Sequence, residues 1–221
     1  MKKGDFVYID YIGKVKGTGE VFDLTNEALA KGEGIYNPNA KYKPIPIIIG
    51  ADFVVKGLDE ALQEMSVGEK RTVEVEPGKA FGDRKSELLR LLPLSAFKEQ
   101  DIDPNPGSYV TINGLNGRVI SSSGGRIRVD FNHPLAGKKL EYEVEVKEEI
   151  KDAPKKVLAI VNFYTGIDGE GAEANVEGEV AEVKLKPNMD VPNSIRKKIA
   201  EIATKWIEIR KIRFVSEYEK S

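Results

Sequence analysis

The chain has 221 residues, with 34 basic against 36 acidic side chains and a formal net charge of −2, so it carries no global basic field to hold nucleic acid. With 40% hydrophobic and 32% charged residues it has the apolar surface to bury a core, which excludes a disordered tail and a membrane-embedded protein. The absence of cysteine rules out disulfides, catalytic thiols and thiolate metal sites and fits a reducing compartment, the cytoplasm being the expected location.

The opening stretch MKKGDFVYIDYIG alternates Phe6, Tyr8 and Asp10 against Val7, Ile9 and Tyr11, the period of a strand. Asp5 and Asp10 interrupt any apolar run long enough for a signal peptide or a membrane span. Residues 5 to 83 read as strands around one short helix, in which Leu58, Ala61, Leu62 and Met65 recur at helical spacing and Gly68 supplies the stop. The run RTVEVEP then alternates strictly, with Thr72, Glu74 and Glu76 on its wet face.

From about 84 to 130 a leucine cluster and a DPNPG break precede YVTI, GRVI and RIRVDF. Asn116-Gly117 and Gly124-Gly125 separate these runs as hairpin turns, since two-residue turns favour positive φ. This predicts a small all-β insert. The alternating EYEVEVKEEI that follows is too isolated to own a core and is expected to pair with the first region. KDAPKK reads as a charged linker, followed by an apolar strand at 157–164, an alternating strand at 174–185, a helix and a last strand near 206–217. The helix carries Ile195, Ile199, Ile202 and Trp206 on one stripe. The expected class is therefore α+β in three parts: 1–83 with 131–152, an insert at 84–130, and a C-terminal ββαβ domain at 155–221.

Several chemistries fail on inspection. His133 is the single histidine and lies in NHPLAG, where a turn residue is a better reading than a general base. DIDPNPG opens like a calcium loop, but Pro106 stands at the required glycine and Ile112 at the bidentate glutamate. GIDGEG lacks a phosphate-binding lysine and precedes a strand. Arg196, Lys197 and Lys198 read as a solvated helix face. No cofactor, metal, nucleic-acid partner or membrane is expected.

One ordered set of motifs remains: YIG at 11–13, VFD at 21–23, PIIIGADFVVKGLDEAL at 46–62, VGEKRTVEV at 67–75, AFGD at 80–83 and LEYEVEV at 140–146. Taken in order they resemble an FKBP-type peptidyl-prolyl cis-trans isomerase. The segment before FNHPLAGKKL resembles the SlyD-like branch with its insert-in-flap chaperone domain, and the extra C-terminal part resembles the archaeal long type. The resemblance implies an antiparallel half-barrel sheet wrapping a short helix. It also implies an apolar pocket for the prolyl ring, lined by Tyr11, Phe22, Asp23, Ile47, Val54, Val55, Leu58, Phe81 and Tyr142, with His133 and Leu135 at its rim. Each aromatic taken singly is as well explained by the core of a small domain. Their order is not, and an acid between Phe22 and Leu24 is a poor choice for packing alone. Two departures stand out: Leu58 occupies a position where many members have tryptophan, and Phe81 one where tyrosine is usual. The histidine-rich metal-binding tail of many SlyD proteins is missing.

Rotation about an X-Pro bond transfers no atom and needs no acid–base residue, only relief from a barrier of about 18–20 kcal/mol. The twisted amide has lost charge separation, so an apolar pocket disfavours the planar ground state more than the transition state. Phe22, Val55, Leu58, Phe81 and Tyr142 are expected to grip the ring, while Asp23 and the Val55 N–H fix the flanking carbonyls. In the insert, Leu88, Leu89, Leu91, Leu92, Leu94 and Phe97 exceed what one short segment buries, and those left exposed are expected to bind unfolded chains. The resemblance implies the same partners, polypeptides containing X-Pro bonds. The C-terminal part offers a homodimer interface. A holdase whose pocket docks peptides with little catalysis is the alternative, kept open by Leu58 and Phe81.

Overall fold

The computed structural model describes residues 1–186 and 189–216. It falls into two compact units, Met1–Val75 with Leu140–Ser221 as far as described, and Glu76–Lys139. In chain order the elements are β1 (Phe6–Val15), β2 (Val21–Leu24), α1 (Glu27–Gly32), β3 (Ile45–Ile48), α2 (Lys56–Gln63) and β4 (Lys70–Val75). The second unit follows with β5 (Leu89–Pro93), α3 (Leu94–Lys98), β6 (Tyr109–Ile112), β7 (Leu115–Ser123) and β8 (Arg126–Asp130). The chain then returns to the first unit with β9 (Leu140–Ile150), α4 (Ala153–Thr165), β10 (Ala172–Glu177), β11 (Val180–Leu185), α5 (Asn193–Trp206) and β12 (Lys211–Ser216).

The first unit is built on an antiparallel sheet of order β2-β1-β9-β4, with β3 also paired to β1. Its centre is β9, whose alternation buries Leu140, Tyr142, Val144 and Val146 and turns glutamates outward. The expected return of this strand to the first region is therefore observed: Val15 and Val75 both pair with Leu140. The chain leaves this unit after Val75 and re-enters it at Leu140, so two partners on adjacent strands hold the ends of the inserted unit.

Helix α2 packs on this sheet through Leu58 and Leu62, both buried. Gly57 permits the approach, since a Cβ there would lie 2.6 Å from Cγ1 of Val75. Asp59, on the same helix, is also buried and accepts the Gly50 N–H at 2.8 and 3.1 Å, which pins the loop entering α2. Met65 is buried just past the helix, and Gly68 turns the chain at φ 84°. The region holds a second helix that apolar spacing did not show: α1 is set by the Asn26 cap on the Leu29 N–H, and buries Ala30 alone.

The second unit is a sheet of order β5-β8-β7-β6 closed over a core of Phe97, Val110, Ile112, Val119, Ile127 and Val129. It is not all-β, because α3 supplies the wholly buried Phe97. Gly124-Gly125 forms a turn as expected, both residues having positive φ. The other turn is Asn113-Gly114, at φ 51° and 74°, and not Asn116-Gly117. Gly117 lies inside β7, where a Cβ would strike Val129 at 2.6 Å and Phe131 at 2.8 Å; close packing, not a turn, requires it.

The C-terminal expectation is corrected at 157–164, which is the helix α4 and not a strand, so the order is αββαβ. Asp152 caps the helix, a proline stands in its first turn and Gly166 closes it in the left-handed conformation. KDAPKK is thus a helix start and no linker. The apolar run misled because α4 is buried on more than one side, which erases its helical period. Val157, Ile160 and Val161 share one core with Phe6, Ile48 and Ile150 of the first sheet and with Ile199 and Ala203 of α5. Strand β12 runs parallel to β11 and ends at Ser216; residue 217 of the expected strand, and residues 187, 188 and 217–221 of the expected domain, lie outside the described residues.

Candidate active site

Strand registers bring part of the expected site together in the first unit. Gly13 pairs with Asp23 on β2 and with Tyr142 on β9, so Tyr11, Asp23 and Tyr142 gather on one face of the sheet. The Tyr11 hydroxyl donates to Asp23 Oδ2 at 2.6 Å. Phe22 meets Tyr142 edge-on with ring centroids 5.8 Å apart, and Tyr11 and Tyr142 lie 6.1 Å apart. Burial, and then the charge of Asp23, raise the Tyr11 phenol above its ordinary value. The same two causes push Tyr142 up to about 12. Both phenols therefore stay protonated at neutral pH, as polar edges of an apolar surface.

Gly13 is the residue that sequence reasoning missed, although it stands in the quoted YIG. A Cβ there would lie 2.6 Å from Cζ of Phe22 and 3.1 Å from Cε1 of Tyr142. A glycine inside an alternating strand is the signal of such close approach.

Val54 and Val55 are half-buried in the segment leading to α2, and the Val55 carbonyl accepts the N–H groups of Leu58 and Asp59 as the first bonds of the helix. The Val55 N–H donates to no protein group among the described residues. Leu58 is buried in α2. Ile47 is as buried as Leu58 and lies on β3 opposite Val7, away from the Tyr11 end of β1. Two cavities of the first unit lie beside this cluster, the smaller sharing Tyr11 with it. One, of about 430 Å³, lies among Tyr8, Pro44, Ile150 and Leu158; the other, of about 390 Å³, lies among Asp10, Thr25, Leu29 and Glu143.

Phe81, His133 and Leu135 belong to the second unit. Phe81 and His133 stack with centroids 4.1 Å apart and planes 3° from parallel. His133 Nδ1 accepts the Leu135 N–H at 3.2 Å, and the His133 carbonyl accepts from Ala136, so the stretch is the turn that its sequence suggests. Leu88 is half-buried, Leu92 and Leu94 pack on the unit's core, and Phe97 is inside it with no exposed surface. Phe97 therefore cannot touch a client. The outward side chains are Leu89 and Leu91 on β5, Leu115 and Ile120 on β7 and Tyr109 on β6, the last 68% exposed. Register places Leu91 beside Arg128, and Tyr109 beside Arg118.

Comparison with known proteins adds to this geometry. A family model described as the FKBP26 IF domain matches residues 90–135. The short-type peptidyl-prolyl cis-trans isomerase of Methanocaldococcus jannaschii is 36% identical over 148 residues, covering 67% of this chain and 93% of that protein. The chain belongs to the FKBP-type peptidyl-prolyl cis-trans isomerases. The FKBP-type 16 kDa isomerase of Escherichia coli is 31% identical over 48% of this chain and 74% of its own. The SlyD isomerase of Helicobacter pylori is 26% identical over 57% and 69%. The mixed α+β architecture with antiparallel sheets fits an FKBP-like fold. Among the described residues of this isomerase, no helix is long and apolar enough to cross a membrane.

Proposed function

We propose that the protein accelerates X-Pro isomerisation in folding polypeptides at the face formed by Phe22, Val54, Val55, Leu58 and Tyr142, with Tyr11 and Asp23 at its polar edge. The observation that carries the reading is the Tyr11–Asp23 hydrogen bond beside apolar rings, with the Val55 N–H left open in the same unit. An open N–H supplies a donor for a substrate carbonyl, and a hydrogen-bonded carboxylate is a fixed dipole that needs no reorganisation during the rotation. The rings hold the prolyl group in a medium that disfavours its planar, charge-separated amide, and each 1.4 kcal/mol of that difference is worth about tenfold in rate. Phe81 and His133 are proposed to touch the peptide as a stacked pair on the second unit in its own right.

The second unit is proposed to bind unfolded chains through Leu89, Leu91, Ile120 and Tyr109, a set of exposed apolar side chains on one sheet. Leu92 and Leu94, packed on the core of the same unit, and the half-buried Leu88 and Leu135 are proposed to add to client binding. The division of labour among 1–83 with 131–152, 84–130 and 155–221, and self-association through the last of these, belong to the same proposal; analytical ultracentrifugation reads the self-association directly.

The test is cis-to-trans relaxation of a short X-Pro peptide together with refolding of a proline-limited protein. The intact chain, Asp23→Ala with Phe81→Ala, and Leu91→Glu with Ile120→Glu are compared. The first pair is expected to lose peptide catalysis. The second pair is expected to keep it while losing the advantage on the protein substrate. Peptide catalysis unchanged in the first pair would overturn the site, and equal refolding by the second pair would overturn the client surface.

A further inference from the structure

Thr25 lies just past β2 at 6% exposure, where the chain turns away to begin α1. The β1–β2 register ends at Ile12 opposite Leu24, so the next backbone positions of β1 lack a regular partner strand on that side. Thr25 replaces it from both ends. Its own N–H donates to the Tyr11 carbonyl at 3.1 Å, and its Oγ1 accepts the Tyr11 N–H at 3.0 Å. The hydroxyl proton has Asp10 Oδ1 at 2.8 Å as its nearer acceptor and the Tyr11 carbonyl at 3.3 Å as its farther one, and donation to Asp10 leaves a lone pair facing the Tyr11 N–H. A chain of bonds thus runs from Asp10 through Thr25 to the backbone of Tyr11, whose phenol holds Asp23 at 2.6 Å.

We propose that Thr25 is a positioning residue for prolyl isomerisation, setting through the Tyr11 backbone where the Tyr11 hydroxyl holds the Asp23 carboxylate. The inference rests on the reading of Tyr11 and Asp23 as the polar edge of the site. The physical reason is the loss of a fixed acceptor: without Oγ1 the Tyr11 N–H keeps no protein partner among the described residues, and the peptide must shift toward the adjoining cavity, where a mobile water replaces a fixed oxygen. A shift of a few tenths of an ångström at the backbone is carried outward by the long phenol. Thr25 itself need not touch the peptide, so the cost falls on the rate of rotation and not on binding.

The experiment measures kcat and KM on an X-Pro peptide for the full chain and for Thr25→Val, Thr25→Ser and Tyr11→Phe. It also records the hydroxyl proton resonance of Tyr11, identified by its loss in Tyr11→Phe. Thr25→Val keeps shape and removes Oγ1; it is expected to lower kcat about tenfold at constant KM and to move that resonance, while Thr25→Ser restores kcat to within about twofold. A folded Thr25→Val with unchanged kcat, alongside an impaired Tyr11→Phe, overturns the role of Thr25 and leaves the site intact. Unchanged kcat in Tyr11→Phe and in Asp23→Ala overturns the site reading itself. Should Thr25→Val fail to fold, Asp10→Ala decides, because the Thr25 hydroxyl then keeps only the Tyr11 carbonyl at 3.3 Å as acceptor and must turn toward it: a loss in kcat of about threefold is expected, and none overturns the proposal.

Discussion

The ring of His133 lies flat on that of Phe81, with centroids 4.1 Å apart. The one histidine of the chain therefore serves as a platform for an aromatic side chain, and its Nδ1 is taken by the Leu135 N–H. His133→Phe is expected to keep isomerisation within about twofold, whereas His133→Ala removes a stacking contact worth about 0.5–1.5 kcal/mol and lowers kcat/KM about three- to tenfold. Peptide kinetics at neutral pH for the three proteins checks this, and an equal loss in both variants would assign the effect to the Nδ1 bond with the Leu135 N–H and not to the ring stack.

Gly13→Ala tests the packing of the site without touching a polar group. The new Cβ would enter the Phe22 ring at 2.6 Å, and Phe22 must swing away from Tyr142 to admit it. Overpacking of this kind costs about 1–3 kcal/mol in stability. Activity is expected to fall more than stability explains, by about tenfold or more in kcat/KM, because in the proposed site the displaced ring is one that holds the proline. Denaturant midpoints and peptide kinetics on the same preparation separate the two effects.

Phe97→Ala separates the two units. Its side chain is fully buried in the core of the second unit, and truncation of such a phenylalanine costs about 3–5 kcal/mol. A unit of this size has little stability to spare. Hydrogen exchange is expected to show protection lost across β5 to β8 and retained in β1 and β9. Suppression of aggregation of an unfolded client is expected to fall with it.

The raised phenols predict a loss of stability in alkali. The folded-state values of Tyr11 and Tyr142 lie above the unfolded value of about 10. The unfolded chain therefore loses these protons first as pH rises, and the stabilisation, complete below about 10, disappears as pH climbs through the Tyr142 value of about 12. The denaturant midpoint of the intact chain is expected to fall over that range, and Tyr142→Phe is expected to flatten the slope. An equal slope in the variant would place the alkaline sensitivity elsewhere.

The strands of the first sheet, the helix around Leu58 and the turn at Gly124-Gly125 were legible because each has a local period or a required φ. The ordered motifs carried the family as well, since Tyr11, Phe22, Asp23 and Tyr142 sit where strand register must bring them together. Reading failed where burial removed the period. Residues 157–164 are apolar except at Asn162, because α4 packs against both the first sheet and α5, so strand and helix patterns coincide there. The same blindness hid the reason for Gly117 and Gly13: the atoms that exclude a Cβ belong to other strands.

By itself the sequence determined the α+β class, the return of β9 to the first sheet after an inserted segment, and the FKBP-type isomerase family. Alternation, turn chemistry and short ordered motifs are local quantities, and they suffice for these conclusions. Only the tertiary structure decided that Ile47 and Phe97 are core, that the C-terminal elements share their core with Phe6, Ile48 and Ile150, and that Thr25 holds both backbone groups of Tyr11. Those outcomes depend on which atoms distant in sequence exclude water from one another, and no local pattern encodes that.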